Sequence, residues 1–355
     1  MKFLVSFELA AILLLSAFLP VSAEVRRIGG KTVIEGIGPL QTRDGRDSTL
    51  IGCLAELMSI VGEKDITYEW LMGVSGAAFR IQHMDWSPRA LNDFVGFNSG
   101  LIALESLPYK IIRIKPADDR KAALEMVAKS IDKGVPVIGF SEEAGLVVGY
   151  ADGGNTLIWR KYEDAGKEYS ESNEMPAEFL VLGEKRQKPE KTKTIVNSLD
   201  LALGLAVKPK IGNYDFGFNA YNVWASQLEN ESSFSLLGER GLRSRATANA
   251  LQYAALLNAR KAAAVYLKSI SSTFRRETRS ELIKASEAYN DIYKTLKKGT
   301  EYMPYPPQSA GEMADKWTPE MRKKQAKTLR DAASDEKRAL HLISRALESA
   351  RTAMD

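Results

Sequence analysis

The amino-acid sequence predicts an α+β domain followed by an all-α helical bundle. Strand-like runs and amphipathic helices are mixed up to about residue 185, whereas after a charged, proline-containing stretch only helical periodicity remains. The chain has 355 residues, which is more than one hydrophobic core usually serves. We therefore predict a signal peptide at 1–23, an α+β domain at 24–185, a linker at 186–199 and a helical domain at 200–355.

The first 23 residues have the layout of a secretory signal peptide. Lys2 gives a positive start, an apolar run extends from Leu9 to Leu19, and the segment 21–23 (VSA) is a small-residue cleavage site. The apolar run is shorter than a bilayer crossing requires. The sequence therefore predicts export to the periplasm or the extracellular space, with no stable membrane insertion after cleavage.

Composition excludes several classes of partner. The net charge of +4 is spread over the whole chain among interleaved acids, which is not the pattern of a nucleic-acid-binding protein. Cys53 is the single cysteine, so an intramolecular disulfide is impossible, and the two histidines, His83 and His341, are far apart in sequence. We therefore predict no metal, no other cofactor and no nucleic-acid partner. The oligomeric state stays open.

The elements of the α+β domain follow from periodicity and turn residues. Capping side chains at 47–49 (DST) precede apolar residues at three- and four-residue steps, which predicts a helix ending at Gly62. A second amphipathic helix is predicted at 119–133. Strands are predicted at 109–114, 135–140, 145–150, 156–162 and 178–182. The segment 152–155 (DGGN) predicts a hairpin between the third and fourth of these strands.

The C-terminal half shows only helical patterns. Apolar stripes predict helices at 251–270, 282–296 and 318–347, the last with Thr318 as cap and Pro319 at the first helical position. Basic and acidic residues alternate on these helices, which is typical of a solvated face. The pattern predicts a helical bundle of about 150 residues.

Cys53 is the first candidate for chemistry. It lies on the opening turns of its predicted helix, behind Gly52, where the positive end of the helix favours loss of the thiol proton. The alternative is that Cys53 is a small buried hydrophobic residue, since free cysteine is among the most buried residue types.

Several segments resemble papain-like bacterial cysteine proteins. They are 48–62 (STLIGCLAELMSIVG), 73–79 (GVSGAAF) and 145–150 (GLVVGY). The pattern is similar to the double-glycine leader peptidases and to the N-terminal domain of the butirosin biosynthesis protein H family, whose members transfer an acyl group through a cysteine. The resemblance implies a papain-like fold with Cys53 as the nucleophile.

The chain departs from this family at two catalytic positions. Where the relatives place a histidine before the strand at 145–150, this sequence has Glu143. Where they place an Asp or Asn on the next strand, it reads WRKY at 159–162. Papain-like chemistry needs an imidazole to take the thiol proton and return it to the leaving group. The sequence therefore predicts an incomplete catalytic triad.

Apart from Glu143, the remaining candidates lie in or just after the segment 73–79. His83 is the candidate base, with a histidine packed against Trp86 as the alternative. Gly76, Arg80, Trp86 and Glu143 are candidate ligand-binding residues. Arg80 suits a carboxylate or phosphate, although an internal salt bridge is the alternative.

Three functions are compatible with these patterns. The first is an exported papain-like protein that binds a peptide- or amide-containing ligand or acts as a non-proteolytic thiol enzyme. The second is an active cysteine acyltransferase or amidase that uses Cys53. The third is a structural protein that binds a partner through its helical domain.

Overall fold

The computed structural model of the protein describes residues 24–40, 47–162, 164, 166 and 168–352. The predicted signal peptide at 1–23 lies outside these residues. The described chain is a mixed α+β region followed by a helical C-terminal region, which confirms the predicted α+β class and the order of its parts.

The strands belong to one large and one small sheet. They are β1 (Glu24–Ile28), β2 (Lys31–Glu35), β3 (Gln82–His83), β4 (Tyr109–Ile114), β5 (Val137–Phe140), β6 (Ala144–Ala151), β7 (Thr156–Arg160), β8 (Ser170–Ser172), β9 (Glu178–Lys185), β10 (Lys210–Ile211) and β11 (Tyr214–Phe216).

The three longest helices lie towards the C-terminus. They are α1 (Thr49–Ile60), α2 (Tyr68–Val74), α3 (Ser99–Glu105), α4 (Arg120–Ile131), α5 (Lys191–Val207), α6 (Gly217–Glu229), α7 (Glu231–Ser235), α8 (Glu239–Ser271), α9 (Arg276–Gly299), α10 (Pro307–Ala310) and α11 (Pro319–Thr352).

Strand β6 is the centre of the large sheet. Its first half pairs antiparallel with β5 and its second half with β2, while β7 pairs along the opposite edge. Strands β9 and β4 extend the sheet beyond β5, and β8 pairs with the outer edge of β7. Nearly every residue of β6 is buried, and helices α1 and α4 contact this strand.

The predicted hairpin between β6 and β7 is confirmed. Asp152, Gly153 and Gly154 have φ values of 51°, 65° and 98°. Glycine adopts this left-handed region without steric cost, so the two glycines allow the chain to reverse within one short turn.

Two predicted helices of the α+β region are also confirmed. Helix α1 begins after Ser48 and packs on β5 and β6. Helix α4 begins after Asp119, whose carboxylate accepts a hydrogen bond from the Ala122 amide at 2.9 Å. Both helices therefore start at side chains that satisfy a first-turn N–H group.

Long helices form the C-terminal region. Helix α9 packs against α8 and α11, and α11 also contacts α5 and α6. At the centre, Arg260 on α8 forms a buried ion pair with Glu336 on α11 at 2.9 Å. Arg260 also donates to the carbonyl oxygens of Ala78 and Arg80, which ties the bundle to the α+β region.

The boundary between the two regions is shorter than predicted. The segment 186–199 was expected to be a linker, but α5 begins at Lys191, so the non-helical connection after β9 spans only 186–190. In addition, β3 pairs with β11 across the boundary. Among the described residues, no helix has both the length and the apolar character that a membrane crossing needs.

Candidate functional site

The first turn of α1 positions the candidate cysteine. The Ser48 hydroxyl accepts a hydrogen bond from the Ile51 amide at 3.2 Å and donates to the Asp93 carboxylate at 2.5 Å. Gly52 and Cys53 follow in the first two turns. The thiol therefore lies near the electropositive end of the helix, as the sequence predicts.

The Cys53 thiol has no exposed surface. Burial raises the pKa of this thiol well above its ordinary value, while the contact with the Tyr162 hydroxyl lowers it and the charge of Glu56 raises it further. Desolvation outweighs the helix dipole, so the thiol is protonated at neutral pH. Of the two alternatives for Cys53, the buried cysteine therefore describes this structure better than the activated thiol does.

Tyr162 covers the start of α1. Its hydroxyl donates a hydrogen bond to the Thr49 carbonyl oxygen at 2.9 Å. Gly52 makes this approach possible, because a Cβ at that position would overlap the Tyr162 oxygen. Gly52 therefore leaves room for a side chain of the same protein.

His83 lies at the junction between the two regions. Its Nδ1 contacts the Gln252 side-chain oxygen at 2.7 Å, and its Nε2 contacts that of Gln227 at 2.8 Å. The fully buried ring stacks on Trp224 with centroids 5.5 Å apart. Because both ring nitrogens have glutamine partners, the structure does not assemble the predicted pair of Cys53 and His83.

Arg80 lies in an internal network. Its guanidinium donates to the carbonyl oxygens of Leu91 and Asn92 and to the Ser99 hydroxyl, and it contacts Asp93 at 3.4 Å. The structure therefore places Arg80 in the internal salt bridge that was the alternative to a ligand-binding role.

Trp86 and Gly76 also pack inside the protein. The Trp86 ring contacts the rings of His83, Phe234 and Trp317, with centroids 5.6 to 6.3 Å apart. Gly76 has a φ of 77° and packs against Leu201 of α5. Both residues were predicted to bind a ligand, but in the structure they pack against other residues of the protein.

Tyr162 also lines a cleft of about 250 Å³. The cleft is formed by the hairpin between β5 and β6, the end of β7 and the segment that follows β8. Its lining residues are Gly139, Ser141, Glu143, Ala144, Gly145, Trp159, Lys161, Tyr162, Ser172, Glu174, Met175 and Pro176. Among the predicted site residues, Glu143 lines this cleft.

The indole of Trp159 forms an aromatic surface in the cleft. Its six-membered ring lies against Gly139 and Gly145, and a Cβ at Gly139 would overlap it. Trp159 is almost entirely buried, with 6% of its surface exposed. Among the described residues its indole N–H has no hydrogen-bond partner. The Lys161 ammonium lies 5.7 Å from the ring centroid, close enough for a cation–π contact.

The cleft carries two exposed carboxylates. Glu143 precedes β6 and Glu174 follows β8. Within the described part of the chain, neither forms a salt bridge. Carboxylates without a partner at the edge of an aromatic surface are available to N–H donors and cations of a ligand.

Trp159, Lys161 and Tyr162 were not among the predicted site residues. The resemblance pointed to the segment 159–162, where the relatives have an acid, but this sequence has none there. The available signal in the sequence was that these three residues, with aromatic or long side chains, lie together at the end of one predicted strand.

In the described ranges, no three His, Cys, Asp or Glu side chains are grouped so that they could hold a metal ion. No protein-family model matches the chain, and no curated protein matches it either.

Proposed function

We propose that this is an exported protein whose α+β region is a papain-like, non-catalytic binding domain for a peptide- or amide-containing ligand. The observation that carries the proposal is the cleft beside Tyr162, with the Trp159 ring on its surface and the Glu143 carboxylate at its edge. Export rests on the sequence of residues 1–23.

The surroundings of Cys53 support binding over catalysis. A cysteine nucleophile reacts as the thiolate, and burial holds this thiol in the protonated form. An acyl-transfer cycle also needs a base within hydrogen-bond reach of the sulfur. His83 is engaged by Gln227 and Gln252 and does not supply one.

The dimensions and chemistry of the cleft suit a short stretch of peptide. Its volume is just below the range of roughly 300–1,000 Å³ that is typical of small-molecule pockets. Trp159, Met175 and Pro176 supply apolar surface, and Glu143 and Glu174 supply hydrogen-bond acceptors. Peptide N–H groups and basic side chains complement these acceptors.

NMR of the tryptophan indoles tests this proposal. The chain has five tryptophans, and Trp159→Phe identifies the indole N–H signal of Trp159. We expect a pool of acetylated, amidated tetrapeptides of randomised sequence to shift this signal in the wild-type protein and to leave the other four unchanged. Replacement of Glu143 by Ala should weaken the binding by up to about fivefold, the upper end for one exposed charge contact.

Glu142→Ala is the matched control. Glu142 is adjacent to Glu143 and is also exposed, but it does not line the cleft. We expect it to bind the pool as the wild-type protein does. A Trp159 signal that stays unchanged at millimolar peptide, or equal weakening by both substitutions, would contradict the proposed binding site.

A further inference from the structure

The side chain of Tyr162 fills a slot between the cleft and helix α1. Its ring lines the cleft, and its hydroxyl reaches the Thr49 carbonyl oxygen in the first turn of the helix. The slot passes over Gly52, where a Cβ would overlap the Tyr162 oxygen. The slot therefore has a glycine floor and ends on a backbone oxygen that accepts a hydrogen bond.

Contacts that do not involve Tyr162 hold the walls of this slot. The Ala144 amide, at the start of β6, donates to the Thr49 hydroxyl at 3.0 Å and joins the helix to the sheet. The Ser48 cap fixes the start of the helix. Tyr162 itself lies in a turn beyond the end of β7 and is half-buried. Its side chain can therefore leave the slot without breaking a strand pairing.

We propose that this slot is the deepest subsite of the ligand cleft and that Tyr162 fills it until a ligand replaces it. This inference rests on the function proposed above. A ligand that replaces the phenol in the same contacts needs a flat group and an N–H or O–H donor, because the Thr49 oxygen, which as a helix carbonyl already accepts a backbone N–H, has a second lone pair for that donor. A peptide segment meets both requirements through its planar amides or through a tyrosine side chain.

The reactivity of the Cys53 thiol indicates whether the Tyr162 side chain fills the slot. The Tyr162 hydroxyl contacts the thiol, and burial is the largest cause of the raised pKa. Departure of the phenol admits water to the sulfur, which lowers the pKa towards that of a free thiol and speeds alkylation.

The test measures alkylation of Cys53 by iodoacetamide at pH 8 in the intact protein. We expect Tyr162→Ala to react at least about tenfold faster than the wild-type protein, because it empties the slot. Addition of p-cresol, which has the shape of the missing side chain, should return the rate to near the wild-type value. Tyr162→Phe keeps the ring in place and should react within about threefold of the wild-type rate.

Tyr150→Ala is the control for loss of a tyrosine from the same region. Tyr150 donates to Asp132 and does not line the cleft, so its replacement should leave the alkylation rate unchanged. Circular dichroism checks that each variant is folded. If Tyr162→Ala does not fold, Tyr162→Val provides the same test, because a valine side chain is too short to reach over Gly52.

Two results would contradict the proposal that this slot is a ligand subsite. Slow alkylation of the folded Tyr162→Ala protein would mean that other groups seal the space next to the sulfur. Fast alkylation that p-cresol does not reduce would mean that the emptied space does not hold a donor-bearing ring. Either result leaves the tetrapeptide titration of Trp159 untouched, so failure of the subsite and failure of the binding proposal are distinguishable.

Discussion

The cleft and the junction between the α+β region and the helical region both contain charged groups. Those at the junction are buried and paired, whereas those in the cleft are exposed. At the junction, Arg260 is fully buried and donates to Glu336, Tyr221 and the backbone of the α+β region, with N···O and N–H···O contacts of 2.9 to 3.2 Å. In the cleft, Glu143 and Glu174 are exposed, and the described chain offers neither of them a salt bridge.

This difference indicates that the charges at the junction stabilise the fold, whereas those in the cleft can bind a ligand. A buried charge whose hydrogen-bonding groups are all satisfied by the chain has no capacity left for a ligand. Exposed carboxylates beside an aromatic ring keep that capacity. Three predictions, in order of decreasing effect on stability, test whether the junction is structural and whether Cys53 belongs to the core rather than to the open cleft.

The largest effect is expected from Glu336→Gln. This substitution leaves the Arg260 guanidinium buried without a counter-charge, and Tyr221 and Tyr289 lose a charged acceptor. Breaking a buried ion pair from one side typically lowers the free energy of unfolding by about 3–5 kcal/mol. Urea denaturation monitored by circular dichroism measures this loss.

Glu229→Gln is the control for removal of a carboxylate from an ion pair. Glu229 pairs with Arg330, and both side chains are more than one-third exposed. An exposed pair contributes about 1 kcal/mol or less, so this variant should be nearly as stable as the wild-type protein. Equal losses in the two variants would show that burial does not distinguish the junction pair.

The second effect concerns His83. His83→Ala removes the contacts to Gln227 and Gln252 and leaves one buried and one half-buried side-chain amide without this partner. We expect the free energy of unfolding to fall by about 2–3 kcal/mol. Alkylation of Cys53 should not become slower, because the histidine contacts glutamines and not the thiol.

His341→Ala is the matched histidine control. His341 is exposed on α11, and its replacement should change stability by no more than about 0.5 kcal/mol. Slower alkylation of Cys53 in His83→Ala, with no change in His341→Ala, would indicate that His83 acts as a base for the thiol after all.

Local patterns predicted much of the fold. The capped start of α1, the strand at Tyr109–Ile114 and the hairpin after β6 depend on residues close together in sequence, and all three are confirmed. The short strands β3 and β11 were not predicted. They pair residues more than 130 positions apart, and two or three residues carry no periodicity that a sequence pattern can detect.

The candidate site was harder to predict because its contacts are long-range. The position of Cys53 on its helix followed from the sequence, but the Tyr162 hydroxyl that contacts its thiol belongs to a residue more than 100 positions later. The partners of His83 lie on α6 and α8, in the other region of the chain. Glu143 was predicted as a site residue because papain-like proteins, which the sequence resembles, have a histidine at this position, whereas nothing marked Trp159 in this way.

The third effect is the pH dependence that Cys53 adds to stability. The thiol pKa is raised in the folded protein, so the folded state keeps its proton while the unfolded chain ionises near pH 8.5. The stability that this thiol contributes is complete below that pH and decreases above it. Between pH 7 and 10 the wild-type protein should lose about 2 kcal/mol relative to Cys53→Ala, which lacks the titrating group. Urea denaturation of both proteins at several pH values measures the difference. Parallel pH curves would mean that the folded thiol titrates like a free one and therefore belongs to the cleft rather than to the core.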